Sequence, residues 1–136
     1  MNRGDTMELD FNYLLMCNDL MDTTHVAWVH QFSLAADATK DTPLRVSRTE
    51  NGVIVHRWMA DHKPTPFFKT VVEFNGNFDR LQLYEVRYPH HALIKAVFPP
   101  AGTGGPNGLL HRDTFIMDSC NFMTPTTGSK MRYYSF

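Results

Sequence analysis

The chain has 136 residues, enough for one domain that buries about two-thirds of the surface its unfolded form exposes. Thirteen Lys plus Arg against fourteen Asp plus Glu, with no basic run or stripe, argue against a nucleic-acid backbone as partner. No apolar run approaches the roughly 20 residues of a membrane span, Met1 to Asp10 has no apolar segment like a signal peptide, and Cys17 and Cys120 fit no disulfide pattern. The expectation is a cytoplasmic protein with reduced thiols that acts on small molecules or proteins, not on nucleic acid or membrane.

Met1 to Met7 is polar and reads as a frayed start. From Glu8 to Met16 the pattern predicts a strand that runs into a helix capped by Asn18 or Asp19. That helix carries an amide, a carboxylate and two imidazoles, Asn18, Asp22, His25 and His30, within thirteen residues. At about 100° per residue, Asn18, Asp22 and His25 fall within an arc of about 60° and share a face. His30 lies five residues past His25, about 140° away, so both imidazoles reach one ion only if the helix ends, tightens or bulges between them. Asp22 has three readings: a metal ligand, a helix cap, or a hydrogen-bond partner that orients His25. Cys17 reads as buried packing, because no acid–base pair accompanies it.

Gln31 to Thr42 is polar and predicts a loop closed by Pro43. Leu44 to Glu50 and Val53 to Met59 flank Asn51-Gly52, a pair that tolerates the positive φ of a two-residue type I′ turn, so a β-hairpin is expected there. Phe67 to Phe74 is open between two readings: Phe67, Phe68, Val71, Val72 and Phe74 fit a short helix facing a core, whereas β-branched Thr70, Val71 and Val72 favour a strand. Phe78 to Tyr88 alternates Leu81, Leu83, Tyr84 and Val86 with polar residues and predicts a half-buried strand; Ala92 to Phe98 predicts another. Pro99 to Gly108 is a Gly/Pro loop, and Leu109 to Met123 and Met131 to Phe136 supply the last two strands, separated by Thr124 to Lys130. His56, His62, His90 and His91 are placed on the surface. Runs of six or seven strands with one or two helices make an α+β antiparallel architecture. Eight Met and ten Phe suit an adaptable apolar cavity or an ordinary core.

The run Asn18-x-x-x-Asp22-x-x-His25-x-x-x-x-His30 resembles the mononuclear-iron motif of the Rieske non-haem iron oxygenases, especially the vanillate and dicamba O-demethylase branch. Phe11 to Asn18, Phe78-Asp-Arg80, Asn121 to Thr126 and Met131 to Tyr134 resemble further parts of the same catalytic domain, so the resemblance runs from about Glu8 to Phe136. It implies a helix-grip (START-like) fold, a curved antiparallel sheet gripping a helix over a ligand cavity, and it makes Phe67 to Phe74 a short helix over that pocket. It also implies Fe(II) held by His25 and His30 within a 2-His-1-carboxylate set, which leaves positions for dioxygen and substrate. Asp22 would relay an electron from a Rieske cluster on a neighbouring subunit, with Asn18 positioning it, and the assembly would be a homo-oligomer, a trimer, fed by a reductase. An aromatic acid would be oxidised by hydroxylation or O-demethylation. Asn121, His111, Phe67 and Phe68 are the pocket candidates, and Asn121 departs from the His that holds the substrate carboxylate in dicamba-type enzymes.

Two family parts have no counterpart. Neither cysteine lies in the Cys-x-His or Cys-x-x-His spacing of a Rieske cluster, so no Fe–S cluster is expected in this chain. The family's third iron ligand, an Asp on a long C-terminal helix, is also without a match. Residues 1–136 therefore read as a partial catalytic domain, incomplete at the C-terminus and inactive in isolation. The alternatives are a metal-free helix-grip module that binds small ligands, and a zinc hydrolase with Asp22 as base. Against the hydrolase stands a histidine spacing of five, where His-Glu-x-x-His has four.

Overall fold

The computed structural model describes residues 4–30, 32–34, 41–73, 75–105 and 111–136. In chain order the elements are β1 (Asp5–Leu9), α1 (Tyr13–Met21), α2 (Val26–Val29), β2 (Arg45–Thr49), β3 (Gly52–His62), α3 (Pro66–Val71), β4 (Phe78–Arg87), β5 (His91–Phe98), β6 (Phe115–Thr127) and β7 (Lys130–Ser135). The strands form one antiparallel sheet in the order β1-β7-β6-β5-β4-β3-β2. Consecutive strands from β2 to β7 are neighbours, and β1 returns to close the far edge. This is the α+β antiparallel architecture expected.

The core lies on one face of that sheet. Helix α1 lays Tyr13, Met16, Cys17 and Leu20 on Val86, Ala92, Met123 and Met131, and burial raises the pKa of the Cys17 thiol. Helix α3 inserts Phe68 among Phe78, Ala96 and Phe98. Ala92 and Ala96 are four residues apart on β5 and so point to the same side, which places both helices on that side. Each fully buried Phe or Met here contributes about 1.5–3 kcal/mol relative to exposure. Between the two apolar clusters the same face of β4 carries Arg80, Gln82 and Tyr84, all buried.

The start of α1 differs from expectation for a local reason. Asn12, extended at φ −68° and ψ 134°, caps the helix by accepting from the Leu14 amide at 2.9 Å. Its Nδ2 also donates to the Gly128 carbonyl at 2.9 Å, which pins the helix to the β6–β7 turn. The expected strand through Met16 is therefore helix from Tyr13, and the cap is Asn12, not Asn18 or Asp19. The expected frayed start is strand from Asp5, paired with β7 from Asp5↔Ser135 to Leu9↔Met131. The β6–β7 connection is likewise shorter than predicted: β6 runs through Pro125 to Thr127, with an irregularity between Pro125 and Thr127 that accommodates the missing N–H. Residues 109 and 110, expected as strand, lie outside the described residues. His56, His62, His90 and His91 are half-buried rather than on the surface, with the His91 ring stacked on Phe122 at 4.8 Å.

The β2–β3 hairpin forms, with its turn one residue early. Thr49 pairs with Gly52, so Glu50 and Asn51 make the turn, and among the described non-glycine residues only Asp61 has positive φ. Gly52 is needed for a different reason: a Cβ there would lie 1.8 Å from the Val86 carbonyl oxygen of β4. Gly52→Ala should cost about 1–3 kcal/mol by overpacking, read as a lower urea midpoint. Gly128→Ala, with nothing within 4 Å of the added methyl, should shift it little; equal midpoints for the two variants would contradict this packing.

Candidate metal centre

The site begins where α1 stops. The Asp22 Oδ1 accepts from the Thr24 amide at 2.8 Å, the Thr24 hydroxyl at 2.5 Å and the His25 amide at 3.3 Å. These bonds offer the backbone a turn in place of another helical step, as Asp does at such positions. They also lower the Asp22 pKa, the Thr24 side-chain and backbone bonds contributing most. Since α1 ends at Met21, Asn18, Asp22 and His25 do not share a continuous helical face. Asn18 is exposed on α1, and Asp22 is the cap of the turn that leads into α2.

His25 and His30 are the residues flanking α2, four residues long between them. The helix starts tight, with Ala27 and Trp28 amides donating three residues back to Thr24 and His25 at 3.2 and 2.9 Å, and it ends at His30, whose φ is −105° and ψ 26°. Val26 and Ala27 are buried, which turns the segment toward the sheet while Trp28 and Val29 face outward. The two rings come to 5.3 Å between centroids at an interplanar angle of 64°. The expectation that the helix must tighten or end for the imidazoles to meet is thus met by both devices.

Imidazole nitrogens bind divalent first-row metals at about 2.1 Å, so two imidazoles at about 90–110° on one ion hold their centroids about 4.6–5.3 Å apart. The observed separation lies at the upper end of that window. His25 Nδ1 is buried and has no hydrogen-bond partner among the described residues. A buried ring nitrogen without a partner is unfavourable unless something accepts its lone pair or proton, and a metal ion would do so. Among the described residues no group of three His, Cys, Asp or Glu assembles. The described donor set is therefore two imidazoles, a fit to part of a metal site.

The pocket candidates divide. Phe68 is 1% exposed and packs on Phe98 at 4.3 Å between centroids, while Phe67 beside it is exposed. Asn121, 1% exposed on β6, donates to the Ser119 carbonyl at 3.2 Å and accepts from the Tyr133 hydroxyl at 2.5 Å. His111 stands 3.6 Å from Asp113 and lines, with Phe78 and Phe98, a cavity of about 300 Å³. Among the described residues no hydrogen bond or ring contact links these four to His25 or His30.

Sequence reading missed the buried polar strip. Arg57 Nε donates to Gln82 Oε1 at 2.7 Å, and Gln82 Nε2 donates to the Tyr84 hydroxyl at 2.8 Å. Burial lowers the pKa of Arg57, lowers that of Arg80 to about 10 and raises that of Tyr84. The available signal was the phase of β4: Phe78, Tyr84 and Val86 share one side with Arg80 and Gln82, against Leu81 and Leu83 on the other.

Removing the Asp22 carboxylate should open the turn. Asp22→Ala is expected to destabilise by about 1 kcal/mol at pH 7, as lost caps do. Because the folded-state pKa is lowered, that contribution is full above the unfolded value of about 3.9 and fades as pH falls through the lower folded value. Urea unfolding at pH 7 and near pH 3 checks it; a gap between wild type and variant that widens in acid would contradict the assignment.

Residues 9–136 match the family described as the vanillate O-demethylase oxygenase C-terminal domain. The chain is 29% identical over 126 residues to a toluene-4-sulfonate monooxygenase system iron-sulfur subunit of Comamonas testosteroni, covering 90% of this chain and 36% of that protein. It is 39% identical over 130 residues to the oxygenase component of chloroacetanilide N-alkylformylase of Rhizorhabdus wittichii, covering 94% and 35%. The vanillate O-demethylase oxygenase subunit of a Pseudomonas strain is 27% identical over 138 residues, covering 96% and 38%. The crystal structure of dicamba monooxygenase bound to 3,6-dichlorosalicylic acid superposes with a TM-score of 0.82 at 19% identity, covering 98% of this chain and 38% of that one. The chain thus spans little more than a third of the length of these relatives.

Proposed function

The chain belongs to the vanillate O-demethylase oxygenase C-terminal domain family, and from that premise we propose that it forms the iron-binding part of an oxygenase component that oxidises an aromatic substrate. The observation that carries the proposal is the 5.3 Å convergence of His25 and His30 at the two ends of α2. Neutral imidazoles at these positions would hold Fe(II), with a third protein ligand supplied from beyond the described residues. When bound, the iron supplies dioxygen activation for insertion of oxygen into a C–H bond of the substrate.

The rest of the work belongs to the chain's own residues. Val26 and Ala27, both buried, keep water from the inner side of the histidine segment. Phe68 and Asn121, already engaged with their neighbours, form the floor beneath the substrate; exposed Phe67 and half-buried His111 offer the contacts a ligand can reach. Asp22, exposed and ionised at the turn into His25, is assigned the role of passing the electron that arrives from a Rieske domain, and Asn18 borders its path. The relatives named above are parts of multi-component systems; by analogy the partners of this chain are a Rieske cluster, a reductase and further copies of itself, arranged as a trimer. The substrate class is an aromatic compound with an acidic or polar substituent, and the compartment is the cytoplasm. Among the described residues no helix is long and apolar enough to cross a membrane.

Anaerobic titration with Fe(II), run beside a His25→Ala, His30→Ala double variant, tests the proposal. Saturable binding at one ion per chain that disappears in the variant is the expected result. Identical titrations for the two proteins would overturn the assignment of the histidines as ligands.

A further inference from the structure

Helix α2 is too short to hold itself in place: a single turn forms few internal bonds and needs tertiary support. Two guanidiniums from paired strands supply that support at either end. Ahead of His25, Arg57 of β3 donates from Nη2 to the Thr23 carbonyl at 3.3 Å. Beyond His30, Arg80 of β4 donates from Nη1 to the Leu34 carbonyl at 3.0 Å. The Ser33 and Leu34 amides in turn donate to the His30 carbonyl at 3.0 Å, so the carbonyl that Arg80 grips belongs to the turn that closes on His30. Arg57 pairs across the strands with Gln82, and Met59 with Arg80, so both anchors rise from one rigid piece of sheet.

We propose that Arg57 and Arg80 act as a clamp on the two ends of the histidine segment and are positioning residues that set the spacing of His25 and His30. The inference rests on the histidine pair being the metal centre, but its geometry stands without metal. Each guanidinium is itself fixed in orientation. Arg57 is braced by Gln82, and Arg80 lies over the Phe68 and Phe98 rings at 5.1 and 5.3 Å from their centroids. Both arginines are buried to about 4% exposure. Among the described residues no carboxylate lies within ion-pair distance of Arg80, and its Nε has no hydrogen-bond partner. Burying a guanidinium in this way is unfavourable, and a neutral donor or an apolar side chain would serve simple packing better. A planar, permanently charged donor aimed at a backbone carbonyl gives strong directional hold instead.

The test compares Arg57→Met, Arg80→Met, Arg57→Lys and Arg80→Lys with Met131→Ala, which weakens the apolar cluster under α1 without touching the clamp. In the metal-free protein, the ring-to-ring nuclear Overhauser effects between His25 and His30 and the hydrogen exchange of the 26–30 amides are read. Co(II) titration follows. The Met variants should lose the ring-to-ring signals, speed exchange in 26–30 by about tenfold or more relative to the β4–β6 amides, and weaken Co(II) binding about 10–100-fold. The Lys variants should fall between, and Met131→Ala should lower global stability while leaving the ring-to-ring signals and local exchange as in wild type. Wild-type behaviour of the Met variants, or an equal local effect of Met131→Ala, overturns the clamp. If a Met variant does not fold, the Lys pair decides: intermediate losses support the clamp and wild-type signals overturn it. If the wild-type chain binds no Co(II), the metal reading fails, and the ring-to-ring and exchange measurements still decide the clamp.

Discussion

A spacing of five residues sets the terms for everything around the histidine pair. On a regular helix that spacing sends two side chains about 140° apart, and on an extended strand it sends them to opposite faces. Only a short, distorted, terminated helix brings both rings to one place, and such a helix has almost no stability of its own. The chain meets this constraint with elements outside the helix. Asp22 stops α1 before it can run on through His25. Two amides bond three residues back and tighten the start of α2. A turn over residues 32–34 closes on the His30 carbonyl, and the paired strands β3 and β4 hold the segment from below.

The sheet serves as the reference frame for this segment, and its inner face is divided accordingly. One apolar cluster seats α1 and the other seats α3, while the polar strip of Arg57, Arg80, Gln82 and Tyr84 runs between them. An all-apolar face would bury more area and cost less desolvation, yet it would offer no directional bonds to backbone carbonyls. The fold shared with dicamba monooxygenase, at 19% identity and a TM-score of 0.82, shows that this layout of strands survives extensive change in sequence. What such a scaffold needs to keep is the placement of a few groups relative to the sheet.

Much of this was legible beforehand. Alternation and turn residues gave the hairpin strands and the antiparallel class, the family resemblance gave the α3 helix, and the motif from Asn18 to His30 pointed to the family and singled out the two imidazoles that flank α2. The shortfalls have local physical causes. Asn12 was passed over as a cap because the alternating pattern carried the strand through Met16; its capping bond to the Leu14 amide is local, but the bond that pins it in place comes from Gly128, 116 residues away. Gly52 looked like a turn glycine, but the constraint on it comes from the Val86 carbonyl of another strand. In β4 the pattern predicted a half-buried strand without its core side: Leu81 and Leu83 lie on the outer face while Arg80 and Gln82 are buried. Alternation gives the period of a strand, and the side that faces the core is decided by the helices that pack there. Asn121 is a pocket candidate through its position in the family resemblance, and what the sequence does not show is that its side chain already bonds Ser119 and Tyr133 on the same sheet.

The central claim is that His25 and His30 are held by the fold so that both imidazoles bind one ion. X-ray absorption at the metal edge of the protein loaded with one equivalent of Fe(II) measures this most directly, because imidazole rings give a distinct multiple-scattering pattern. The account predicts two imidazoles per iron in the wild-type chain and one in His25→Ala or His30→Ala. A spectrum of oxygen ligands alone, or one unchanged by removing either ring, would contradict it.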